Sequence, residues 1–212
     1  MEISWLGHSC FRIKGKGVTV VTDPYPKDVG YSLGKPVADI VTLSHHHPRH
    51  SYVEGIGGMP KVVAGPGEYE IASVLISGIP TFHDNEWGSK RGKNTVYLME
   101  VDEVMVCHLG DVGHVPSQGQ VEEMSGVEVL LVPVGGVSTL NAIAAAETVR
   151  LLDPRIVIPM HFKTAALTCE LESVDGFLKE MGVKETAAQP KLSVSKSGLP
   201  SVTQVIVLDY PR

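Results

Sequence analysis

A chain of 212 residues with 43% hydrophobic content has the length and apolar material for one layered domain with a full core. Its formal charge of −6, from 18 Lys and Arg against 24 Asp and Glu, argues against a nucleic-acid partner, whose phosphates are met by clustered basic residues. No apolar stretch approaches the ~20 residues that span a bilayer, and Met1-Glu2-Ile3-Ser4-Trp5 lacks the basic-then-apolar form of a signal peptide, so a cytoplasmic protein without a membrane partner is expected.

Short β-type runs, punctuated by glycine and proline, occur at residues 3–6, 10–13, 18–22, 40–43, 61–64, 74–79 and 95–101. The second half adds runs at 104–109, 127–133, 156–159, 191–194 and 202–208. Several are apolar throughout, as strands covered on both faces are, and such sheets need helices outside them. A weak helical pattern marks 118–124. The spacing of Ala142, Ala145, Ala146, Val149 and Leu152 predicts a helix over 138–153, capped by Ser138 or Thr139 and ended by Pro154. Leu171, Val174, Leu178 and Met181 predict another over 168–182, with Thr168 as cap and Gly182 as stop. The expectation is an α/β fold in a single domain over 1–212. Cys10, Cys107 and Cys169 are odd in number and widely spaced, and read as thiols rather than a disulfide framework.

The stretch Ser44-His45-His46-His47-Pro48-Arg49-His50 places four of the nine histidines within six positions, directly after the run 40–43. Neutral imidazole is the commonest metal ligand. Other candidate ligands also fall just past strands: Asp23 after 18–22, His83 after 74–79 by way of 80–82, Asp111 after 104–109 and His161 after 156–159. In layered α/β folds the ligand crevice lies at the carboxyl edge of the sheet, so these residues are expected to converge. His45 and His47, two apart on an extended segment, share a side and can share one metal, with His83 completing the set. Asp111 supplies an oxygen able to bridge two metals, and His50 and His161 furnish the second site. Coordination lowers the pKa of a bound water enough to give hydroxide near neutral pH and polarises the bond under attack, which is a hydrolase design.

The order Thr22-Asp23-Pro24, His45-x-His47-x-x-His50, His83, Gly110-Asp111 and Met160-His161 resembles the five motifs of the metallo-β-lactamase fold superfamily, over nearly the whole chain. The start Trp5-Leu6-Gly7-His8-Ser9-Cys10-Phe11 is similar to the branch of small metal-dependent hydrolases that includes the ascorbate-6-phosphate lactonase type. The resemblance implies a four-layer αββα sandwich with the site on one edge. It also implies one or two divalent metal ions, zinc first, with manganese or iron in some members. Substrates in the superfamily range from lactams, lactones and thioesters to phosphodiesters, and the fold does not choose among them.

One position departs from the family motif, His-x-His-x-Asp-His: the aspartate is Arg49 here. A guanidinium stays protonated and has no lone pair for a metal. At an effective dielectric near 20 it would oppose a dication about 5 Å away by about 7 kcal/mol, before compensation by carboxylates, for which Asp23 and Asp84 are the expected partners. Three outcomes follow: one metal on His45, His47, His83 and Asp111; a weak second metal on His50, Asp111 and His161; or lost catalysis. In the first two, Arg49 joins Asp111 as a catalytic candidate, stabilising an oxyanion or anchoring an anionic group.

His46, between two ligands, is expected to point away from the metal, His108 to sit in the core, and His114 to lie on a surface loop. His8 is placed near the site, in contact with ligands or substrate or in a structural hydrogen bond. Asp23 is expected to orient a ligand histidine or the loop after Leu43. Lys90-Arg91-Gly92-Lys93 reads as a solvated loop, with an anion-attracting rim as the sharper alternative. Loops 25–35 and 85–93 are the expected pocket walls, and 55–58 and 65–67 are turns, because neither carries the Lys-Ser/Thr ending of a phosphate loop. The expected function is metal-dependent hydrolysis of a small lactone, ester or phosphoester metabolite, with an anionic one among the alternatives. The competing reading is a metal- or ligand-binding protein without turnover. A homo-oligomer is compatible with either.

Overall fold

Strand β1 (Glu2–Gly7), buried beyond its first residue, pairs antiparallel with β2 (Cys10–Lys14), and β2 pairs antiparallel with β3 (Thr19–Thr22). β3, β4 (Ile40–Leu43) and β5 (Lys61–Ala64) then run parallel. The chain crosses to a second sheet through β6 (Gly67–Ile71), β7 (Val74–Phe82), β8 (Lys93–Val101) and β9 (Val104–His108), an antiparallel meander. After helix α1 (Gln118–Glu123), β10 (Val129–Pro133) joins β9 in parallel; helix α2 (Ala142–Leu152) leads to β11 (Ile156–Met160), parallel to β10. Helix α3 (Asp175–Glu180) follows, then β12 (Leu192–Ser193) beside β1 and β13 (Gln204–Val205) beside β11. This computed structural model, which describes residues 1–184 and 186–211, is the expected αββα sandwich.

Pairing direction explains where the site forms. β1, β3 and β4 run the same way in the first sheet, and β7, β9, β10 and β11 run the same way in the second. Each candidate ligand leaves such a strand at its carboxyl end. His8 follows β1, Asp23 follows β3, His45 follows β4, His83 follows β7, Asp111 follows β9 and His161 follows β11. Between the sheets lies the main core, centred on residues such as Trp5, Phe11, Met99, Leu109 and Ile158.

The two outer layers differ. α2 buries Ala145, Ala146, Val149 and Leu152 over the second sheet, and its small residues allow close approach. The first sheet is covered by a long loop with short 3-10 turns (Lys27–Val29 and Val53–Gly55), whose Tyr25, Val29, Tyr31 and Ile56 pack on Leu6, Val21 and Val41. Tyr25 Oη donates to the Leu6 carbonyl. Loop 25–35 is therefore a packing layer, and none of its residues lines the site cavity, contrary to the sequence expectation.

Helix limits also differ from the sequence pattern. α2 begins four residues late, because Asn141 Oδ1 caps Ala144 N at 2.9 Å while Ser138 and Thr139 turn back to the Gly136 carbonyl. The helix expected over 168–182 shrinks to α3: Thr168 N and Oγ1 donate to the Val29 and Asp28 carbonyls, and Glu172 N to Gly135 O. These tertiary bonds hold 168–172 out of a helix despite its apolar spacing. α1 appears as expected, with a reciprocal cap between Ser117 and Gln120. Among the described residues no helix is long and apolar enough to cross a membrane.

Gly135, just past β10, lies against the segment that carries His161: a Cβ there would stand 2.1 Å from the His161 carbonyl oxygen. Gly135→Ala is therefore expected to cost about 1–3 kcal/mol, the usual range for overpacking. Urea unfolding of the metal-free protein measures it, and an unchanged midpoint would contradict this contact.

Candidate metal centre

The chain leaves three of these strands through left-handed backbone at non-glycine residues, with φ of 53° at His8, 37° at Asp23 and 51° at His161. Such conformations cost free energy and cluster where function needs side chains re-aimed. Asp23 is buried and accepts from Ser44 N at 2.7 Å and Ser44 Oγ at 2.5 Å, and its Oδ2 lies 3.3 Å from His50 Nδ1. With its hydroxyl hydrogen donated in a hydrogen bond to Asp23, Ser44 Oγ accepts from His45 Nδ1 at 2.9 Å. One carboxylate thus holds both rings by Nδ1, directly for His50 and through Ser44 for His45, and turns each Nε2 toward the cavity. His45 Nε2 is buried and has no hydrogen-bond partner among the described residues, as a lone pair awaiting a cation would be.

Asp111 is the centre of the group. Its Oδ1 accepts from Ser9 Oγ at 3.1 Å, and its backbone N–H donates to Asn94 Oδ1 at 2.9 Å. Its Oδ2 lies 3.2 Å from His50 Nε2, 3.3 Å from His161 Nε2 and 3.5 Å from His83 Nε2. Burial alone would raise the Asp111 pKa, but the His161 and His50 imidazoles outweigh it and hold the carboxyl well below its usual range. Burial lowers the pKa of His45 to about 4 and also lowers those of His8 and His83, so these rings are neutral and able to ligate.

His50 behaves oppositely. Burial disfavours its charge, yet Asp111 and Asp23 on either side push its pKa up to about 10. In the metal-free chain this charge contributes stability that is full below the ordinary histidine value of 6.5 and is lost as pH rises through about 10. Ligation of a metal through His50 Nε2 would require loss of the proton there. Between pH 7 and 9, metal binding is expected to release about one proton from this residue, with affinity rising toward alkaline pH. Calorimetry in buffers of different ionisation enthalpy measures the release, and a buffer-independent heat would refute it.

The candidate ligand atoms fall into three mutually close sets: His45, His47 and His50; His45, His83 and Asp111; and His8, His50 and His161. His47 is exposed and its Nδ1 accepts from the Arg49 backbone N–H at 3.2 Å, so ligation through Nε2 requires it to give up that bond. His46 is exposed, and His108 is buried with Nε2 2.8 Å from Ser9 O. His114 is half-buried and accepts from Phe82 N, so it is more than a surface residue.

Arg49 sits at the rim, its Nε 3.9 Å from Asp28 Oδ2, and pairs with neither expected carboxylate. Asp23 is consumed by Ser44 and His50. Asp84 accepts four backbone N–H bonds, from Glu86, Gly88, Lys90 and Arg91, which outweigh its burial and lower its pKa to about 2. It organises loop 85–93 and does not line the cavity. That loop delivers Arg91 to the mouth, where Arg91 Nη1 donates to Val137 O. The cavity, about 390 Å³, is also bordered by Cys169, Glu170 and Leu171. Ser44 and Ser9 went unread in the sequence as site residues, the one signal being Ser44 standing beside His45, whereas Arg91 falls in the basic run 90–93, for which an anion-attracting rim is the sharper expectation.

A family model described as a beta-lactamase superfamily domain matches residues 2–161. A UPF0173 protein of Pyrococcus abyssi is 30% identical over 204 residues, covering 85% of this chain and 90% of the relative. A crystal structure from Thermotoga maritima, named as a candidate zinc-dependent hydrolase of the metallo-β-lactamase superfamily, is 37% identical, with TM-score 0.83 and 99% of each chain covered. Igni18, a metallo hydrolase of Ignicoccus hospitalis, shares the fold at TM-score 0.67 and 20% identity, over 92% of this chain and 99% of that one. The chain belongs to the metallo-β-lactamase superfamily, in the metal-dependent hydrolase branch with the UPF0173 proteins.

Proposed function

We propose that this protein, as one domain over 1–212, is a metal-dependent hydrolase acting on a small anionic lactone, ester or phosphoester, in the manner of the ascorbate-6-phosphate lactonase type. The observation that carries the reading is the convergence of the His50, His83 and His161 Nε2 atoms within 3.5 Å of Asp111 Oδ2, beside the unpartnered Nε2 of His45. His45, His47, His83 and Asp111 would hold one ion, and His50, His161 and Asp111 a second. An imidazole-rich set favours zinc over manganese, with iron also accommodated. When bound, such an ion lowers the pKa of water near it and polarises the bond under attack.

The chain's own residues supply the rest. Asp23 holds His45 and His50 in their tautomers, Asp111 neutralises charge at the centre, and Arg49 and Arg91 at the mouth attract and orient an anionic group. Free Cys10, Cys107 and Cys169 support a reducing, cytoplasmic setting.

A panel of ester, lactone and phosphodiester substrates, with and without carboxylate or phosphate groups, tests this on protein loaded with zinc, manganese or iron. The expected result is turnover that a chelator removes, that His45→Ala and His47→Ala abolish, and that favours the anionic members. Tight ligand binding with no turnover under any metal would favour the binding-only alternative.

A further inference from the structure

The substitution at position 49 leaves the second ion with only His50, His161 and Asp111 from the motif residues, one protein ligand short of a closed set. What stands in the gap is His8. It is 3% exposed, and its Nε2 lies 3.1 Å from His50 Nε2, with its ring centroid 4.6 Å from that of His50 and 4.5 Å from that of His161.

The backbone fixes this placement. The His8 carbonyl accepts from Trp5 Nε1 at 2.9 Å and from His161 N at 3.1 Å, which ties the end of β1 to the residue after β11. Gly7 before it has φ of 108°, and a Cβ there would meet the Tyr31 ring at 2.6 Å, so the turn is pressed against the core, while His8 itself lines the cavity.

Three contacts in this group have the length of coordination-shell edges. With metal–ligand bonds of roughly 2.0–2.1 Å, the edges of a zinc tetrahedron are about 3.3 Å long. His8 Nε2 to His50 Nε2 is 3.1 Å, His50 Nε2 to Asp111 Oδ2 is 3.2 Å, and His161 Nε2 to Asp111 Oδ2 is 3.3 Å. The candidate ligand atoms of His8, His50 and His161 lie within 4.8 Å of one another. His50 Nδ1 is turned to Asp23, so its Nε2 faces His8 Nε2 at hydrogen-bond distance, the place where one cation could be shared by both rings.

We propose that His8 is the third histidine of the second metal site, completing with His50, His161 and Asp111 the shell that Arg49 cannot complete. This rests on the metal-centre reading above. The centre then has three imidazoles on each ion and one shared carboxylate. It also keeps one more positive charge than the motif aspartate would leave, which favours an anionic ligand and, by softness, zinc over manganese.

The experiment is zinc or cobalt titration of chelator-stripped protein, read by elemental analysis and by cobalt(II) visible absorption. Wild type is expected to hold about two ions, and His8→Ala about one, with second-site affinity lowered at least ~100-fold. The double variant His8→Ala/Arg49→Asp is expected to regain the second ion. Two ions at unchanged affinity in His8→Ala, or a single ion in wild type that His8→Ala leaves alone and His45→Ala removes, would overturn the proposal while leaving the metal centre intact. Wild type that binds no ion would overturn the metal-centre reading itself. Should His8→Ala misfold by circular dichroism, His8→Gln replaces it, and anomalous scattering on wild-type crystals decides directly: a zinc peak ~2.1 Å from His8 supports the assignment, and a second-site peak out of its reach refutes it.

Discussion

Asp111→Asn is expected to lower kcat/KM at least ~1000-fold, about 4 kcal/mol of transition-state stabilisation, and to strip metal from the purified protein. Asparagine has nearly the same shape and its one oxygen can still accept from Ser9. The other position becomes an amide nitrogen, which offers N–H bonds and no lone pair where His50, His83 and His161 converge. Loss of the carboxylate also removes the foremost group that keeps His50 charged, so the His50 pKa falls from about 10 toward ordinary values. The folded Asp111 pKa lies below its ordinary value, so its ion contributes stability above the unfolded pKa and loses it as the medium is acidified. Elemental analysis, steady-state kinetics and NMR titration of His50 check the three parts. A variant that keeps its metal and its turnover would remove Asp111 from the centre.

Asp23→Ala is expected to destabilise the metal-free protein by about 3–5 kcal/mol, the range for removing one partner of a buried charged pair. Asp23 is fully buried, and its loss orphans the Ser44 N–H and hydroxyl and leaves the His50 charge with only Asp111 beside it. Burial would raise its pKa; the hydrogen bond from His50 and the imidazoles around it outweigh this and hold the carboxyl below its ordinary value. The same variant frees the tautomers of His45 and His50, so metal affinity should fall ~10–100-fold even though Asp23 touches no ion. Denaturant unfolding and metal titration separate the two effects. An unchanged unfolding midpoint would contradict the buried network.

The strands were legible because both-side burial writes continuous apolar runs, as in β10 and β11. β6 escaped notice: Gly67-Glu68-Tyr69-Glu70-Ile71 is an edge strand with exposed carboxylates, and edges carry charge in place of an apolar stripe. The ligand order could be read since each residue directly follows a strand. The approach of His8 to His50 could not, because it depends on β1 running the same way as β4 and on left-handed backbone at His8. The basic run 90–93 was legible as a loop or a rim, but that Arg91 is the member at the mouth was not. Its place is set by four backbone bonds to Asp84, which no spacing rule encodes. The aromatics of loop 25–35 suggested a pocket wall and instead pack on the sheet, since hydrophobic content alone does not say which side a loop faces.

His8, His45, His47 and His50 come from one leaf of the sandwich, and His83, Asp111 and His161 from the other. Across the open rim, Ser9 to Asp111 and Thr95 to Ser44 join the leaves by hydrogen bonds. An ion held there would act as a clasp, and since only the closed form gathers its donors, binding would weight the equilibrium against parting of the leaves. On the proposed reading, occupancy and integrity become one property of this rim: starving the protein of metal would loosen its seam as well as idle its chemistry.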